Sequence, residues 1–235
     1  MQVPWNHGLT TLSTVRTIIS YIKNPIKTFK NDRREWLRFY YYRKCKRIGI
    51  VKYFINYPRY SIKPDFSDIY KLYNFVINKK PKLILEFGGG CSTIAFTLAL
   101  KKNYEENKIK GKLFSVDESK YWQKTLINFM PAKLKKFCNF SVKPTMIKKI
   151  KGEKVSFHKN IPKLKYDMFY IDGGLADGAY IGGDAIEIEK NASSNFLIIV
   201  DGRWPTCLYL KKKLIRKYKF TRDANYQYVC RPIIK

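Results

Sequence analysis

Residues 83–95 read L-I-L-E-F-G-G-G-C-S-T-I-A, and few folds accommodate that order. Leu83 to Leu85 form an unbroken apolar run, as in a strand buried on both faces. Glu86 falls near the end of the run, and Gly88, Gly89 and Gly90 follow at once. Glycines there permit positive φ and let a ligand come close to bare backbone. Ser92 and Thr93 are N-cap candidates for a helix carrying Ile94, Ala95, Phe96, Leu98 and Leu100. Strand, glycine turn and helix N-terminus in succession make a nucleotide-cradling site of an α/β fold.

The flanking sequence repeats the alternation. Asp65 or Ser67 can cap a helix with Phe66, Ile69, Leu72, Tyr73 and Val76, closed by Lys79-Lys80-Pro81. Lys112 to Val116 predicts a second strand ending at Asp117, followed by a helix over 119–129 and a third strand over 139–146. The polar stretch from Lys148 to Lys165 has no clear period. Tyr166 to Ile171 predicts a fourth strand ending at Asp172-Gly173-Gly174, and Phe196 to Val200 a fifth ending at Asp201-Gly202. Helices are expected over Ala179–Lys190 and about Pro205–Lys217. Tyr218 to Thr221 and Tyr226 to Cys230 flank Asp223-Ala224-Asn225 as an antiparallel hairpin. Alternating strands and helices imply a mostly parallel sheet with both faces covered.

Residues 1–60 differ in character from residues 61–235. Leu12, Val15, Ile18, Ile19 and Ile22 recur at helical spacing, so residues 11–23 read as an amphipathic helix ended by Asn24-Pro25. From Lys23 to Arg59 there are twelve basic residues against two acidic ones, with Trp36, Phe39, Tyr40, Tyr41, Tyr42, Tyr53 and Phe54 among them. Such a segment serves either as a helical lid packed on the main domain or as an anchor on an anionic membrane or RNA. The whole chain carries 47 basic and 18 acidic residues, a net charge of +29. That potential invites an anionic partner, although a coding bias toward Lys, Ile, Asn, Tyr and Phe would produce the same excess. Five scattered cysteines without a C-x-x-C pair suggest neither a zinc site nor a disulfide framework. With no apolar run long enough to span a bilayer and no signal-peptide pattern, a cytoplasmic setting is expected, with peripheral contact at the inner membrane surface as an option.

The glycine stretch departs from the dinucleotide fingerprint G-x-G-x-x-G, because Thr93 stands at the third glycine position. E-F-G-G-G instead resembles the first motif of class I S-adenosylmethionine-dependent methyltransferases: an acid, one spacer, then G-x-G. S-V-D at Asp117 matches the acid that ends their second strand, and F-Y-I-D-G at Asp172 the acid that ends their fourth. The likeness spans roughly residues 62–231. It implies a three-layer Rossmann-like methyltransferase fold: a mostly parallel seven-stranded sheet with a C-terminal antiparallel hairpin, here carrying an N-terminal helical extension.

The resemblance implies S-adenosylmethionine as cofactor. Its sulfonium, ammonium and ribose diol call for carboxylates and close backbone. Glu86 would orient the glycine loop and meet the ammonium end directly or through water, with Gly88, Gly89, Gly90 and Ser92 around the methionine part. Asp117 would accept from the ribose diol, with Glu118 as a second candidate, and Asp172 would lie beside the methyl donor. Asp172 and Asp201 are the candidate bases for an acceptor hydroxyl. His158 is either a further base or acceptor contact or a surface-loop histidine. Some enzymes resembling catechol O-methyltransferase hold a divalent metal with acids at these strand ends followed by Asn. Gly202 occupies that Asn position, so no metal ligand is put forward. Asp172-Gly173-Gly174 replaces the N-P-P-Y type motif of amino methylation, which directs the expectation to O-methylation of a small molecule, sugar or glycan precursor. RNA methylation through the basic surface, and a non-catalytic module on an anionic membrane, are the alternatives.

Overall fold

A computed structural model describes residues 25–55, 57–58, 64–173, 178–222 and 227–233, with only the helical backbone for 25–34. The expected helix over 11–23 and the turn at Asp223-Ala224-Asn225 lie outside the described residues. The first described elements are helix α1 (Pro25–Arg47), a 3-10 turn (Val51–Phe54) and helix α2 (Phe66–Lys79). Asp65 caps α2 by accepting from the amides of Ser67 at 2.8 Å and Asp68 at 3.4 Å. Strand β1 (Leu83–Phe87), helix α3 (Cys91–Asn107), β2 (Lys112–Asp117), helices α4 (Lys120–Phe129) and α5 (Ala132–Lys135), and β3 (Cys138–Val142) come after it. Next are β4 (Thr145–Ile150), β5 (Glu153–His158), β6 (Met168–Ile171), β7 (Tyr180–Ile181) and helix α6 (Gly183–Glu189). The chain closes with β8 (Leu197–Asp201), helix α7 (Trp204–Lys213), β9 (Tyr218–Arg222) and β10 (Gln227–Pro232).

Seven strands form the main sheet in the order β3-β2-β1-β6-β8-β10-β9, parallel except for β10, which runs antiparallel to both neighbours. This is the expected architecture. The order reverses beside β1, with β2 and β3 on one side and β6 and β8 on the other, which opens a crevice at the carboxyl ends of β1 and β6. One face buries Ile84, Tyr170, Ile199 and Val229 under α1 to α5. The other buries Leu85, Phe87, Phe169 and Val200 under β5, α6 and α7. The extension is docked on the first face, where Cys45 is fully buried and its Sγ donates to the carbonyl of Phe66 at 3.3 Å.

Four boundaries differ from expectation. The strand expected over 139–146 breaks at Pro144, which has no amide to donate to a ladder, and the chain from Thr145 onward joins a second sheet, β4-β5-β7. The unassigned stretch after Lys148 is the β4–β5 hairpin, turned by Lys151 (φ 48°) and Gly152 (φ 85°). A β-hairpin thus stands between β3 and β6, in the stretch for which the sequence suggested no element. The helix expected over Ala179–Lys190 begins only at Gly183, because Gly182 (φ 102°) turns the chain out of β7. The helix expected to reach Lys217 stops at Lys213. The carboxylate of Glu189 then accepts from the amides of Ile215 (2.7 Å) and Arg216 (2.8 Å) and holds the chain extended.

Candidate functional site

The glycine turn is held from three sides. Glu86, fully buried in β1, accepts from Ser92 Oγ and Thr93 Oγ1, each at 2.6 Å. Thr93 Oγ1 also accepts from the amide of Gly90 at 3.0 Å. Ser92 and Thr93 are therefore not N-caps: Gly90 is the cap, and both hydroxyls of the first turn face Glu86. Burial pushes Glu86 up to about 7, against hydrogen bonds from Ser92, Thr93 and Ser115 that favour its ionised form. Its oxygens brace the turn from below and have no exposed surface from which to meet a ligand.

The second support is Asp117, at the end of β2. Its Oδ2 accepts from the amide of Gly89 at 3.2 Å and its Oδ1 from that of Ser119 at 2.8 Å. Burial raises its pKa, countered in part by those two amides. The third support is the chain leaving β6: the amides of Asp172 (3.0 Å) and Gly173 (2.8 Å) both donate to the carbonyl of Phe87. Gly88 has φ +84°, and a Cβ on it would lie 2.5 Å from the amide nitrogen of Gly173. Two backbones touch there, which only glycine allows.

Glu118, Asp172, Asp201 and His158 gather at the same edge. Ile171 and Val200 are register partners, so Asp172 and Asp201 end adjacent parallel strands. Burial and the charge of Asp201 push Asp172 up to about 7, and burial raises Asp201 as well. Arg203 Nη2 donates to the Asp172 carbonyl, and its charge opposes both shifts.

His158 is a buried strand-end residue and not a surface-loop histidine. Its ring lies 3.9 Å from that of Phe87, its Nδ1 is 3.1 Å from Asp184 Oδ2, and its Nε2 is 3.9 Å from Glu118 Oε2. Burial alone would lower its pKa, but Asp184 and Glu118 outweigh it and raise it. The His158 ring beside it in turn lowers the pKa of Glu118. Asp184 and Arg203 were missed in the sequence. No spacing links Asp184 to His158, whereas Arg203 comes directly after the strand-end pair D-G and could have been found there.

The donor set does not fit a divalent metal. A glycine at the position of the third ligand and a guanidinium on the Asp172 carbonyl leave a cation no complete set of oxygens. Among the described residues no cluster of three or more His, Cys, Asp or Glu side chains could hold a metal ion.

No family model matches the chain, and no curated protein matches its sequence. Solved structures do match. One is a Staphylococcus aureus protein assigned as a caffeoyl-CoA O-methyltransferase, with TM-score 0.58 and 13% identity over 85% of this chain and 98% of that one. Another is the S-adenosylhomocysteine-bound methyltransferase PaMTH1 of Podospora anserina, with TM-score 0.54 and 12% identity over 79% and 88%. A third is a Klebsiella pneumoniae protein assigned as an O-methyltransferase, with TM-score 0.51 and 13% identity over 81% and 89%. The fold is thus that of the Rossmann-like, class I methyltransferases.

Proposed function

We propose that the protein is an S-adenosylmethionine-dependent methyltransferase acting on a hydroxyl of a small molecule, sugar or glycan precursor. The observation that carries this is the convergence of Asp117, Asp172 and Asp201 at neighbouring strand ends around a turn braced by Glu86. In a chain of net charge +29, that acidic edge suits a ligand with a sulfonium, an ammonium and a ribose diol. When bound, the cofactor supplies an electrophilic methyl group on an excellent leaving group.

The chain's own residues do the rest. Asp117 and Glu118 would hold the ribose diol, and the backbone at Gly88 to Gly90 would take the methionine part. Asp172 and Asp201 together keep one ionised carboxylate near neutral pH, which can take the acceptor's hydroxyl proton. His158, packed against the Phe87 ring and held by Asp184, supports Glu118. Tyr57 of the extension reaches the turn: it hydrogen-bonds Cys91, and its ring lies 4.9 Å from that of Phe129. This contact supports a lid role for residues 41–57.

Calorimetry with S-adenosylhomocysteine tests the reading. Wild-type protein is expected to bind, and Asp117→Ala to bind far more weakly. Folded wild type that takes up none would overturn it. The exposed aromatic face of α1 supports an additional contact with an anionic membrane. Trp36 is 62% and Phe39 58% exposed, with Arg43 over Phe39 and Lys44 over Tyr40. Co-sedimentation with phosphatidylglycerol vesicles should then exceed that with phosphatidylcholine and fall in Trp36→Ala/Phe39→Ala. Equal sedimentation would remove this role.

A further inference from the structure

The turn after β8 delivers a charge to the strand ends. Gly202 (φ +60°) reverses the chain, and Arg203, the cap residue of α7, sends its guanidinium back over the edge of the sheet. Its Nη2 donates to the carbonyl of Asp172, and its positive charge acts on Asp172, Asp201 and Glu118 together. Its Nε is enclosed without a hydrogen-bond partner among the described residues. The group is thus tethered at one nitrogen, while its Nε–H is left buried without an acceptor among those residues.

We infer that Arg203 is the resident cation of this edge, standing in for a divalent metal beside Asp172 and Asp201. The inference rests on reading the edge as the methyl-transfer site. A guanidinium cannot lose its charge in a protein, so it offsets the negative charge of the acid pair at every working pH. A metal ion entering the same edge would meet a fixed like charge.

Manganese titration followed by electron paramagnetic resonance tests this on the full-length chain. The wild type is expected to leave the ion free. Arg203→Gln should bind one ion per chain about tenfold more tightly or better, and Arg203→Gln/Asp201→Asn should lose it again. Arg203→Lys, which keeps a cation, should behave like the wild type. Stoichiometric manganese on the wild type, abolished by Asp201→Asn, would overturn the inference. So would an Arg203→Gln variant that binds no better than the wild type. Circular dichroism checks that each variant is folded; should Arg203→Gln fail to fold, the comparison of wild type with Asp201→Asn still decides. S-adenosylhomocysteine calorimetry on the same samples reports the cofactor separately, so failure of the methyltransferase reading shows up apart from failure of the arginine's role.

Discussion

Thr93 Oγ1 donates to the fully buried Glu86 at 2.6 Å while accepting from the amide of Gly90 at 3.0 Å. One hydroxyl thereby joins the end of β1 to the first turn of α3 and closes the glycine turn between them. A glycine at position 93, as a dinucleotide fingerprint requires, would lose both bonds.

Thr93→Val keeps the branched shape and removes only the hydroxyl. It leaves a buried carboxylate short of one donor and the Gly90 amide short of its acceptor. A loss of about 1–3 kcal/mol is expected, against less than about 1 kcal/mol for Thr93→Ser. Urea unfolding measures both. An unchanged midpoint for Thr93→Val would mean that the hydroxyl does not hold the turn.

Gly88 and Gly90 should respond in opposite ways to the same change. Alanine at 88 must adopt φ +84° and push into Gly173 at 2.5 Å, so Gly88→Ala should cost more than about 2 kcal/mol and weaken S-adenosylhomocysteine binding. Gly90 has an extended φ of −176°, and its nearest neighbour, Tyr57 Oη, would be 3.7 Å away. Gly90→Ala should therefore stay within about 1 kcal/mol. Equal damage at both positions would count against the backbone contact as the reason for Gly88.

The glycine stretch was readable because each of its parts has a local cause: an apolar run, an acid, three glycines and a helical pattern. The acids Asp117, Asp172 and Asp201 were readable for the same reason, as each ends an apolar strand. His158 was not. Its strand β5 lies in a small sheet whose outer members expose Lys148 and Lys149, so β4 and β5 read as polar chain. The one local clue was Lys151-Gly152, a turn that needs positive φ at both positions. Asp184 reaches His158 only through tertiary packing, with Gly183 pressed 2.5 Å from the Phe157 ring in the position a Cβ would take. No period in the sequence records that approach, and the two glycines at 182 and 183 were absorbed into a helix that does not include the first.

Glu86 should make stability depend on pH in the less common direction. Its folded value of about 7 lies above the unfolded value near 4.3. Between those values the native state holds more protons than the unfolded one, so this group's contribution falls as pH rises from about 4 to about 7 and is level outside that window. Glu86→Gln does not titrate there and keeps the shape. It should gain on the wild type steadily across the window, as urea midpoints at several pH values would reveal. A gap between the two proteins that stays constant with pH would show that Glu86 is not buried as an acid.

His158 offers the most direct probe of the site's electrostatics. The chain has two histidines, so the proton spectrum of His158→Gln identifies the resonances of the other by elimination. In the wild type His158 should titrate above the ordinary value of about 6.5, because Asp184 and Glu118 favour its charged form more than burial opposes it. Asp184→Asn removes the nearer carboxylate, at 3.1 Å, and leaves the burial in place. The His158 midpoint should then move down. Through the lost imidazolium charge, Glu118 should move up toward the usual carboxylate range. If His158 titrated at the same pH in Asp184→Asn as in the wild type, the buried dyad would not be setting its charge, and the support proposed for Glu118 would have to come from elsewhere.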